Sequence, residues 1–334
     1  MMDFEEIHQT RSKESGTYNR EINFSKEKDT ESFTLAAFHE EKTFLRKSTP
    51  EYIEADVGKV MNGYFLERKI GNGAYSSIYK AFDTKRERKV AVKVSDVSST
   101  SKDSDLAFNE VEIYKKLPPS SNIVAYYDHF VSENKNLYLV MEYAKLDLHT
   151  LINRQRMPSD GAVHIPMEIQ DKIEIAYQIS DAIVFLRRYD VAHRDVKPEN
   201  IVVCAGSGVR GLMKLCDFGF AVVYDRRSPP TEYIGSPDYM APEVIRCLKS
   251  PKPYGTSCDL WSLGVTIYEL FVGEPTFYDE NLRETMFNIL MYNDSIVYPQ
   301  GKVPPMQVCR FLKNLILQRP ETRVLQPEIL KADQ

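Results

Sequence analysis

The chain has 334 residues, of which 43% are hydrophobic and 27% are charged, so it is long and apolar enough to bury a sizeable core. Its formal charge of −5 argues against a protein that binds nucleic acid through its charge, because such a protein needs an excess of lysine and arginine. We therefore expect a globular, enzyme-sized protein without a nucleic-acid partner.

No apolar run approaches the length needed to cross a bilayer, so the sequence predicts no membrane span. The first residues lack both a basic leader and a myristoylation glycine. The cysteines are odd in number and have neither a C-x-x-C pair nor zinc-finger spacing, which predicts reduced thiols. They are Cys204, Cys216, Cys247, Cys258 and Cys309. Together these features favour an intracellular protein, cytoplasmic and/or nuclear.

Residues 1–60 are rich in Glu, Lys, Ser and Thr and lack sustained hydrophobic periodicity. This composition predicts that they form an extension that is disordered or partly helical. Within them, residues 31–47 carry three phenylalanines and two leucines at a spacing compatible with a short amphipathic helix. Two interpretations stay open. The helix docks on the folded domain or on a regulatory partner, or it forms only transiently, as short isolated helices do.

From Tyr64 onward the pattern changes to short β-rich runs separated by turn-forming or charged residues. Predicted strands cover residues 65–66, 77–81, 90–94, 123–124 and 137–141. A helix is predicted at 106–117, where Pro118 and Pro119 end it, and longer helices at 169–187 and 260–271. We predict an α+β fold with two lobes. Residues 61–143 form a small antiparallel sheet with one helix, and residues 144–334 form a larger, mainly helical lobe.

A glycine-rich run lies between two predicted strands rather than before a helix. It reads Gly71, Asn72, Gly73, Ala74, Tyr75, Ser76. A hairpin tip without large side chains lets backbone N–H groups close over phosphate oxygens, whereas a dinucleotide-binding fingerprint would need a helix to follow. Glycine turns between strands are common, so this run alone is a weak indication of a phosphate site.

Lys93 lies inside an apolar predicted strand, and a buried ammonium group is costly unless it is paired. Glu110 on the following helix is the favoured partner. Glu112 is the alternative, but it points to a different face of the helix, about 200° further round. A third interpretation is an exposed lysine on an edge strand.

The most informative segments are the run HRDVKPEN at residues 193–200 and the run DFG at residues 217–219. Asp217 and Asn200 supply the hard oxygen ligands that Mg²⁺ prefers, and Asp195 supplies a carboxylate that can orient a hydroxyl. With these motifs in place, the chain resembles the eukaryotic protein kinase family, serine/threonine type, over residues 62–330. The resemblance implies a bilobal kinase fold, ATP and Mg²⁺ as substrate and cofactor, and protein substrates with Ser or Thr acceptors.

The same resemblance implies a role for each polar residue. Asp195 is expected to be the catalytic-loop base, and Lys197 to help neutralise the γ-phosphate, as in serine/threonine kinases. Asn200 and Asp217 are expected to hold Mg²⁺. Lys93 paired with Glu110 is expected to hold the α- and β-phosphates.

The nucleotide pocket is also assigned through the resemblance. The glycine-rich run at residues 71–76 is expected to cover the phosphates, while Glu142 and Ala144 bind the base edge through their backbones and Asp147 contacts the ribose. The expected apolar walls are Ile70, Ile78, Ala91, Met141 and Val202. Any one of these apolar residues taken alone is more often plain core than pocket wall.

Scaffold residues are implied as well. Glu243, in Ala-Pro-Glu at 241–243, is expected to pair with Arg323, and Asp259 to bond the backbone of the catalytic loop. Ser236 is expected to carry a hydroxyl that can bond both Asp195 and Lys197, which favours Ser/Thr acceptors.

Glu232 stands where these kinases commonly carry a phosphorylated threonine, three residues before Gly235. Its carboxylate is expected to hold Arg194 in part without phosphorylation, and Thr231 is a candidate phosphosite. The other interpretation is a solvated loop glutamate.

Two alternatives to an active protein kinase remain. A kinase-fold scaffold without catalysis is disfavoured because every polar position of the motif set is occupied. A kinase of small molecules is disfavoured by the long activation segment that ends at residues 241–243, which builds a groove for peptides.

Overall fold

The computed structural model describes residues 57–72, 76–99, 102–156, 167–205 and 210–332. The predicted extension lies outside the described residues, apart from 57–60, and so does the predicted short helix at 31–47. Gly73, Ala74 and Tyr75 of the glycine-rich run also lie outside them. Their predicted contact with phosphates therefore stays a prediction.

The first half of the described chain forms a six-stranded sheet with strand order β1-β2-β3-β4-β6-β5, in which all pairs are antiparallel. The strands are β1 (Val60–Met61), β2 (Tyr64–Asn72), β3 (Ser76–Asp83), β4 (Arg88–Asp96), β5 (Tyr126–Val131) and β6 (Asn136–Glu142). Burial alternates along β3, as expected where one sheet face is packed. The packed residues include Leu66, Tyr79, Val92, Tyr138 and Val140.

One helix, α1 (Lys102–Lys116), accompanies this sheet and begins earlier than the sequence predicts. Residues 102–105 read as a polar spacer because they lack apolar periodicity. Their acidic residues Asp103 and Asp105 lie in the first turn, where negative charge favours the N-terminal end of the helix dipole. Electrostatics thus extends the helix beyond its apolar face.

The strand predicted at residues 123–124 is wrong. Ile123 forms only an isolated parallel bridge to Leu215, and the neighbouring strand of the sheet is β5. Ile123 and Val124 are both buried, and Val124 N–H donates to the carbonyl of Leu215 at 3.0 Å. Their apolar character therefore serves the contact between the sheet and the second half of the chain.

The second half is mainly helical. Its helices are α2 (Leu148–Arg156), α3 (Ile169–Arg188), α4 (Pro242–Arg246), α5 (Cys258–Val272), α6 (Leu282–Met291) and α7 (Met306–Leu315). Every residue of α5 except Phe271 is buried, and α5 packs on both α3 and α7. None of the helices in the described part of the chain is both long and apolar enough to cross a membrane. This architecture agrees with the predicted α+β, two-lobed fold class.

Short strands in the helical half carry the loops that matter for chemistry. They are β7 (Leu146–Asp147), β8 (Val191–Ala192), β9 (Ile201–Ala205), β10 (Leu212–Leu215) and β11 (Val222–Val223). Strand β9 pairs with β10 and β7, while β8 pairs with β11. The pairing brings residues 193–200 and residues 216–221 next to each other.

Gly264 gives a test of the packing around α5. A Cβ atom there would lie 2.6 Å from Cγ1 of Ile316 and 3.1 Å from Cβ of Leu315. We expect Gly264→Ala to lower the free energy of unfolding by about 1–3 kcal/mol, because overpacking outweighs the better helix propensity of alanine. Urea denaturation measures the change. Gly255→Ala is the control, since its Cβ would make an ordinary 3.7 Å contact with Tyr224, and equal stability of the two variants would contradict the prediction.

Candidate active site

A cavity of about 680 Å³ lies between the sheet and the helical half. Its walls combine strands β2, β3, β4 and β6 and helix α1 with the loops around β7, β9 and β10. Most residues expected at the site line it: Ile70, Gly71, Asn72, Ser76, Ile78, Ala91, Lys93, Glu110, Met141, Glu142, Ala144, Asp147, Asp195, Lys197, Asn200, Val202 and Asp217. The fold therefore brings together residues that are up to 147 positions apart in the chain, from Ile70 to Asp217.

Lys93 lies on β4 and joins two carboxylates at the back of this cavity. Its Nζ lies 2.7 Å from Oε2 of Glu110 and 2.8 Å from Oδ1 of Asp217. Burial acts to lower the pKa of Lys93, but the two negative charges outweigh it and raise that pKa above the ordinary range. Glu112 instead lies on the exposed face of α1, 3.0 Å from Lys115. The ammonium group is thus charged and fixed between the helix and the second half of the chain.

Glu110 is 2% exposed, and both of its carboxylate oxygens are used. One oxygen pairs with Lys93, and Oε1 accepts a hydrogen bond from the N–H of Phe218 at 3.2 Å. Burial raises the pKa of Glu110 in spite of the lysine. The helix that carries Glu110 is therefore tied to the segment that follows Asp217.

Asp195 is 8% exposed, and its two carboxylate oxygens differ. Oδ2 lies 3.0 Å from Nζ of Lys197 and accepts a hydrogen bond from Nδ2 of Asn200 at 2.9 Å. Oδ1 is buried and has no hydrogen-bond partner among the described residues. A buried carboxylate oxygen in this state costs free energy unless another group donates to it, so Oδ1 is an acceptor available to a ligand hydroxyl.

The backbone around Asp195 is braced from below by Asp259 at the start of α5. Its carboxylate accepts hydrogen bonds from the N–H of His193 at 2.6 Å and from the N–H of Arg194 at 2.8 Å. Arg194 has a φ of 66°, a conformation that non-glycine residues adopt only when surrounding contacts hold them. Asp259 thus performs the bracing role that the sequence indicates.

The chain is similar in sequence to known proteins. The family profile described as protein kinase domain matches residues 64–333. The serine/threonine-protein kinase ATG1 of Debaryomyces hansenii is 32% identical over 80% of this chain, and the serine/threonine-protein kinase TIO of Arabidopsis thaliana is 31% identical over 80%. A probable myosin light chain kinase of Dictyostelium discoideum is 31% identical, and 81% of each chain is covered.

The chain belongs to the protein kinase family. This membership confirms the family indicated by the residue motifs and the bilobal fold class. The chain spans 34% of the length of the Debaryomyces ATG1 and 18% of that of TIO.

Protein kinases use ATP together with a divalent cation, and the cavity residues fit such a cation. Both hydrogen bonds from the Asn200 amide nitrogen go to Asp195, to its carbonyl at 2.8 Å and its carboxylate at 2.9 Å, so the amide oxygen is the group left for a ligand. Burial acts to raise the pKa of Asp217, but Lys93 outweighs it and lowers that pKa to about 2, so the carboxylate is ionised at neutral pH. Its side chain is still 42% exposed.

Among the residues that the structure describes, no group of three or more His, Cys, Asp or Glu side chains could hold a metal by itself. A cation at Asn200 and Asp217 would therefore take its other ligands from phosphate and water. Mg²⁺ is usually bound in this way, through one or two protein oxygens plus substrate phosphates. The donor set thus fits Mg²⁺ bound with a nucleotide.

Lys197, in the catalytic loop (residues 193–200), donates a hydrogen bond at 2.6 Å to Oγ of Ser236, in the activation segment (residues 217–243). The preceding residue, Gly235, has a φ of 116°, and a Cβ atom there would lie 2.5 Å from the carbonyl oxygen of Arg194. Glycine is required at this position because the segment runs directly against the catalytic loop. Ser236 is therefore held beside the pair formed by Asp195 and Lys197.

Arg194 also connects the catalytic loop to the middle of the activation segment. Its Nη1 lies 3.0 Å from Oε2 of Glu232 and 3.1 Å from the hydroxyl of Tyr254, and that hydroxyl donates to the carbonyl of Glu232 at 2.9 Å. The N–H of Thr231 donates to the same glutamate oxygen at 3.1 Å. The four residues form one hydrogen-bonded cluster.

At the far end of the segment, Arg323 and Glu243 form the ion pair that the sequence indicates. Nη1 and Nη2 of the arginine lie 2.6 and 2.8 Å from the two carboxylate oxygens. Nη1 also donates to the carbonyl of Ser257 at 2.9 Å. This bidentate pair anchors the end of the activation segment to the helical lobe.

The chain between the two lobes, from Glu142 at the end of β6 to Asp147 in β7, has features that the sequence did not predict. The carboxylate of Glu142 lies 2.7 Å from Nζ of Lys214. Both carboxylate oxygens of Asp147 accept from Thr150, at 2.6 and 3.0 Å, which holds the start of α2. The predicted ribose contact of Asp147 would therefore have to share these oxygens.

Other residues that line the cavity were also missed. They include Leu106, Val124, Tyr143 and Cys216. Adjacency to Asp217 was an available signal for Cys216. Leu106 and Val124 reach the cavity only because α1 and the segment before β5 fold onto it, so no local pattern could identify them.

Proposed function

We propose that this protein is an ATP-dependent protein kinase that transfers the γ-phosphoryl group of ATP to serine and threonine hydroxyls of protein substrates. The observation that carries the proposal is the carboxylate of Asp195. Its Oδ2 is held by Lys197 and Asn200, and its buried Oδ1 has no partner among the described residues of the chain. Such a group is poised to accept one hydrogen bond from an incoming hydroxyl.

The proposed roles follow from charge and position. Lys93, fixed by Glu110, would hold the α- and β-phosphates, and Asn200 with Asp217 would hold Mg²⁺. When bound, that ion neutralises negative charge on the phosphate oxygens. The base would lie between Ala91, Met141 and Val202, with the backbones of Glu142 and Ala144 at its edge and Ile70 and Ile78 above it. All of these residues line the same cavity, which supports the assignment.

In the proposed transfer step, the acceptor oxygen bonds to the γ-phosphorus while the bond to the β–γ bridging oxygen breaks and ADP leaves. The proton of the acceptor hydroxyl passes to Asp195. Lys197, 3.0 Å from that carboxylate, stabilises the negative charge on the transferred group. Most of the catalytic effect would come from positioning and electrostatics, because phosphoryl transfer leaves the protein little covalent chemistry to do.

Acceptor type is supported by the hydrogen bond between Lys197 and Ser236. It fixes the lysine close to Asp195, which is the arrangement that the resemblance to serine/threonine kinases implies. The names of the relatives, serine/threonine-protein kinases, agree with this proposal.

The test uses the full chain with radiolabelled ATP, Mg²⁺ and either casein or a basic protein. We expect label on serine and threonine after acid hydrolysis. Label on small metabolites but not on protein would favour a metabolite kinase. Nucleotide binding without any transfer would favour a scaffold that has kept the kinase fold.

The proposal also covers the cell compartment and possible partners. An intracellular location, cytoplasmic and/or nuclear, is consistent with the five free cysteines, all of which lie in the described part of the chain. A regulatory partner for residues 1–60 stays a prediction, as do the lobe bounds at residues 61–143 and 144–334.

We propose that Glu232 regulates kinase activity through its contact with Arg194. Burial acts to raise its pKa, but backbone N–H groups and Arg194 outweigh it, so the pKa lies below the ordinary value for glutamate. A group with a lowered pKa contributes its stabilisation above the unfolded-state pKa and loses it as the pH falls through the folded-state pKa. The carboxylate of Glu232 is therefore ionised at neutral pH, and its contact with Arg194 is at full strength. In this proposal, Glu232 holds Arg194 in part without phosphorylation.

We expect phosphatase-treated protein to keep activity, and Glu232→Gln to lower kcat by about 1.4-fold to fivefold, since an exposed ion pair contributes about 0.2–1 kcal/mol. Steady-state kinetics on dephosphorylated protein measures this. Glu284→Gln, an exposed change on α6, is the control. Complete loss of activity after phosphatase treatment would mean that Glu232 does not suffice and that phosphorylation, with Thr231 as the candidate site, is required.

A further inference from the structure

Asn109 lies on α1 next to Glu110, but it is not among the residues that line the nucleotide cavity. Its Nδ2 donates two hydrogen bonds, to the carbonyl of Gly219 at 3.1 Å and to the carbonyl of Ala221 at 2.8 Å. Because both partners are acceptors, the side-chain nitrogen and not the oxygen must face them. One amide group thus connects α1 to the first residues of the activation segment.

Those residues form a turn, 218–221, in which the N–H of the last residue donates to the carbonyl of Phe218 at 3.0 Å. The turn is held from both sides. From α1, Glu110 accepts from the N–H of Phe218 at 3.2 Å. From the catalytic loop, Nε of Arg194 donates to the carbonyl of Phe220 at 2.6 Å. With the two bonds from Asn109, every carbonyl of the turn accepts a hydrogen bond.

Asp217, directly before this turn, has a φ of 64°. A non-glycine residue in the left-handed region is strained and keeps that conformation only when its surroundings over-determine it. The carboxylate of Asp217 is held by Lys93, but its backbone continues into the turn. The bonds to the turn therefore fix the direction in which the chain leaves Asp217.

We propose that Asn109 is a positioning residue of this kinase, which fastens turn 218–221 to α1 and thereby fixes Asp217 and the start of the activation segment. This inference rests on the proposed function, because it assigns to Asn109 an effect on phosphoryl transfer. Arg194 holds the same turn and also pairs with Glu232, so the turn is linked both to α1 and to the middle of the activation segment.

The test compares Asn109→Asp, which keeps the shape but loses the donors, with Asn109→Ala. Alanine forms helices better than asparagine, so a loss of function in this variant cannot come from weaker helix propensity. We expect both variants to lower kcat by about tenfold, because two net hydrogen bonds are lost, with a much smaller change in KM for ATP. The aspartate variant should be the worse, since its carboxylate faces two carbonyl oxygens.

A second readout does not depend on activity. Hydrogen exchange, measured on the protein without nucleotide, should speed up by about tenfold at the amides of turn 218–221 and stay unchanged in α5. Two controls should leave exchange and kcat unchanged. Glu112→Gln changes an exposed residue of the same helix. Asn288→Asp repeats the chemical change on α6, where the amide donates to the carbonyl of Phe277 at 3.4 Å, away from the turn.

Three outcomes decide the matter. Normal exchange and normal kcat in both Asn109 variants would overturn the positioning role. Faster exchange throughout α1 and α5 would also overturn it, because the variants would then be globally destabilised. If wild-type protein transfers no phosphate, the proposed function fails, and exchange at the turn still decides whether Asn109 fastens it.

Discussion

Replacing Asp195 by asparagine is expected to lower kcat by about 10²- to 10⁴-fold, because the change removes the proton acceptor and keeps the shape of the side chain. Asn200 should keep its orientation, since its amide also donates to the backbone carbonyl of residue 195 at 2.8 Å. We therefore expect the KM for ATP to change little. Initial rates with casein at varied ATP concentrations separate the two parameters.

Asp181→Asn is a matched control for this variant, because it makes the same chemical change on the exposed face of α3. It should have wild-type kinetics. If Asp195→Asn kept roughly a tenth or more of the wild-type kcat, the general-base role would be wrong. A large rise in KM with normal kcat would instead assign Asp195 to binding.

Replacing Lys93 by methionine is expected to lower kcat/KM by about 10²- to 10³-fold, because one preorganised charge on the phosphate path is lost. It also leaves Glu110, 2% exposed, without its counter-charge. Breaking a buried pair on one side costs about 3–5 kcal/mol of stability. We therefore expect a lower free energy of unfolding at neutral pH, measured by urea denaturation, together with weaker binding of Mg-ATP by calorimetry.

The destabilisation caused by Lys93→Met should depend on pH in a definite direction. Burial already raises the pKa of Glu110 with the lysine present, and without it the folded-state pKa rises further. A raised folded-state pKa contributes stability below the unfolded value and loses it as the pH rises through the folded value. The destabilisation should thus be smaller in mild acid than at neutral pH.

Two further variants complete the Lys93 experiment. Lys93→Met combined with Glu110→Leu should regain part of the stability without regaining activity, because the buried carboxylate of Glu110 is then gone and the carboxylate that remains, that of Asp217, is 42% exposed. Lys115→Met, on an exposed lysine of α1, is the control. Equal stability of Lys93→Met and Lys115→Met at neutral pH would mean that Glu110 is solvated or protonated in the wild-type protein.

Fold class could be predicted because strand and helix periodicities differ and because the two types of run are separated along the chain. The first and last residues of an element were harder to predict where charge, and not a hydrophobic pattern, determines where the element begins. Residues 102–105 have no apolar side chain at helical spacing, yet they begin α1 through Asp103 and Asp105. Ile123 and Val124 have the composition of a strand, but their burial comes from contact between the two halves of the chain.

The same division applies to the candidate site. Asp195, Asn200 and Asp217 could be named from the sequence because metal–nucleotide chemistry restricts the residue types and their order. The unpartnered Oδ1 of Asp195 could not, since it depends on which oxygen Lys197 and Asn200 occupy. No spacing rule predicts that distribution.

By itself, the sequence determined the chemical groups of this kinase and the order in which they occur, because polar residues inside apolar runs must serve a charge or a ligand. Only the tertiary structure decided which groups meet. Lys93 lies between Glu110 and Asp217, 17 and 124 positions away, and Asn109 reaches a turn 110 positions further on. Contacts at such separations depend on how the sheet and the helices pack, and packing is a property of the whole chain rather than of any local segment.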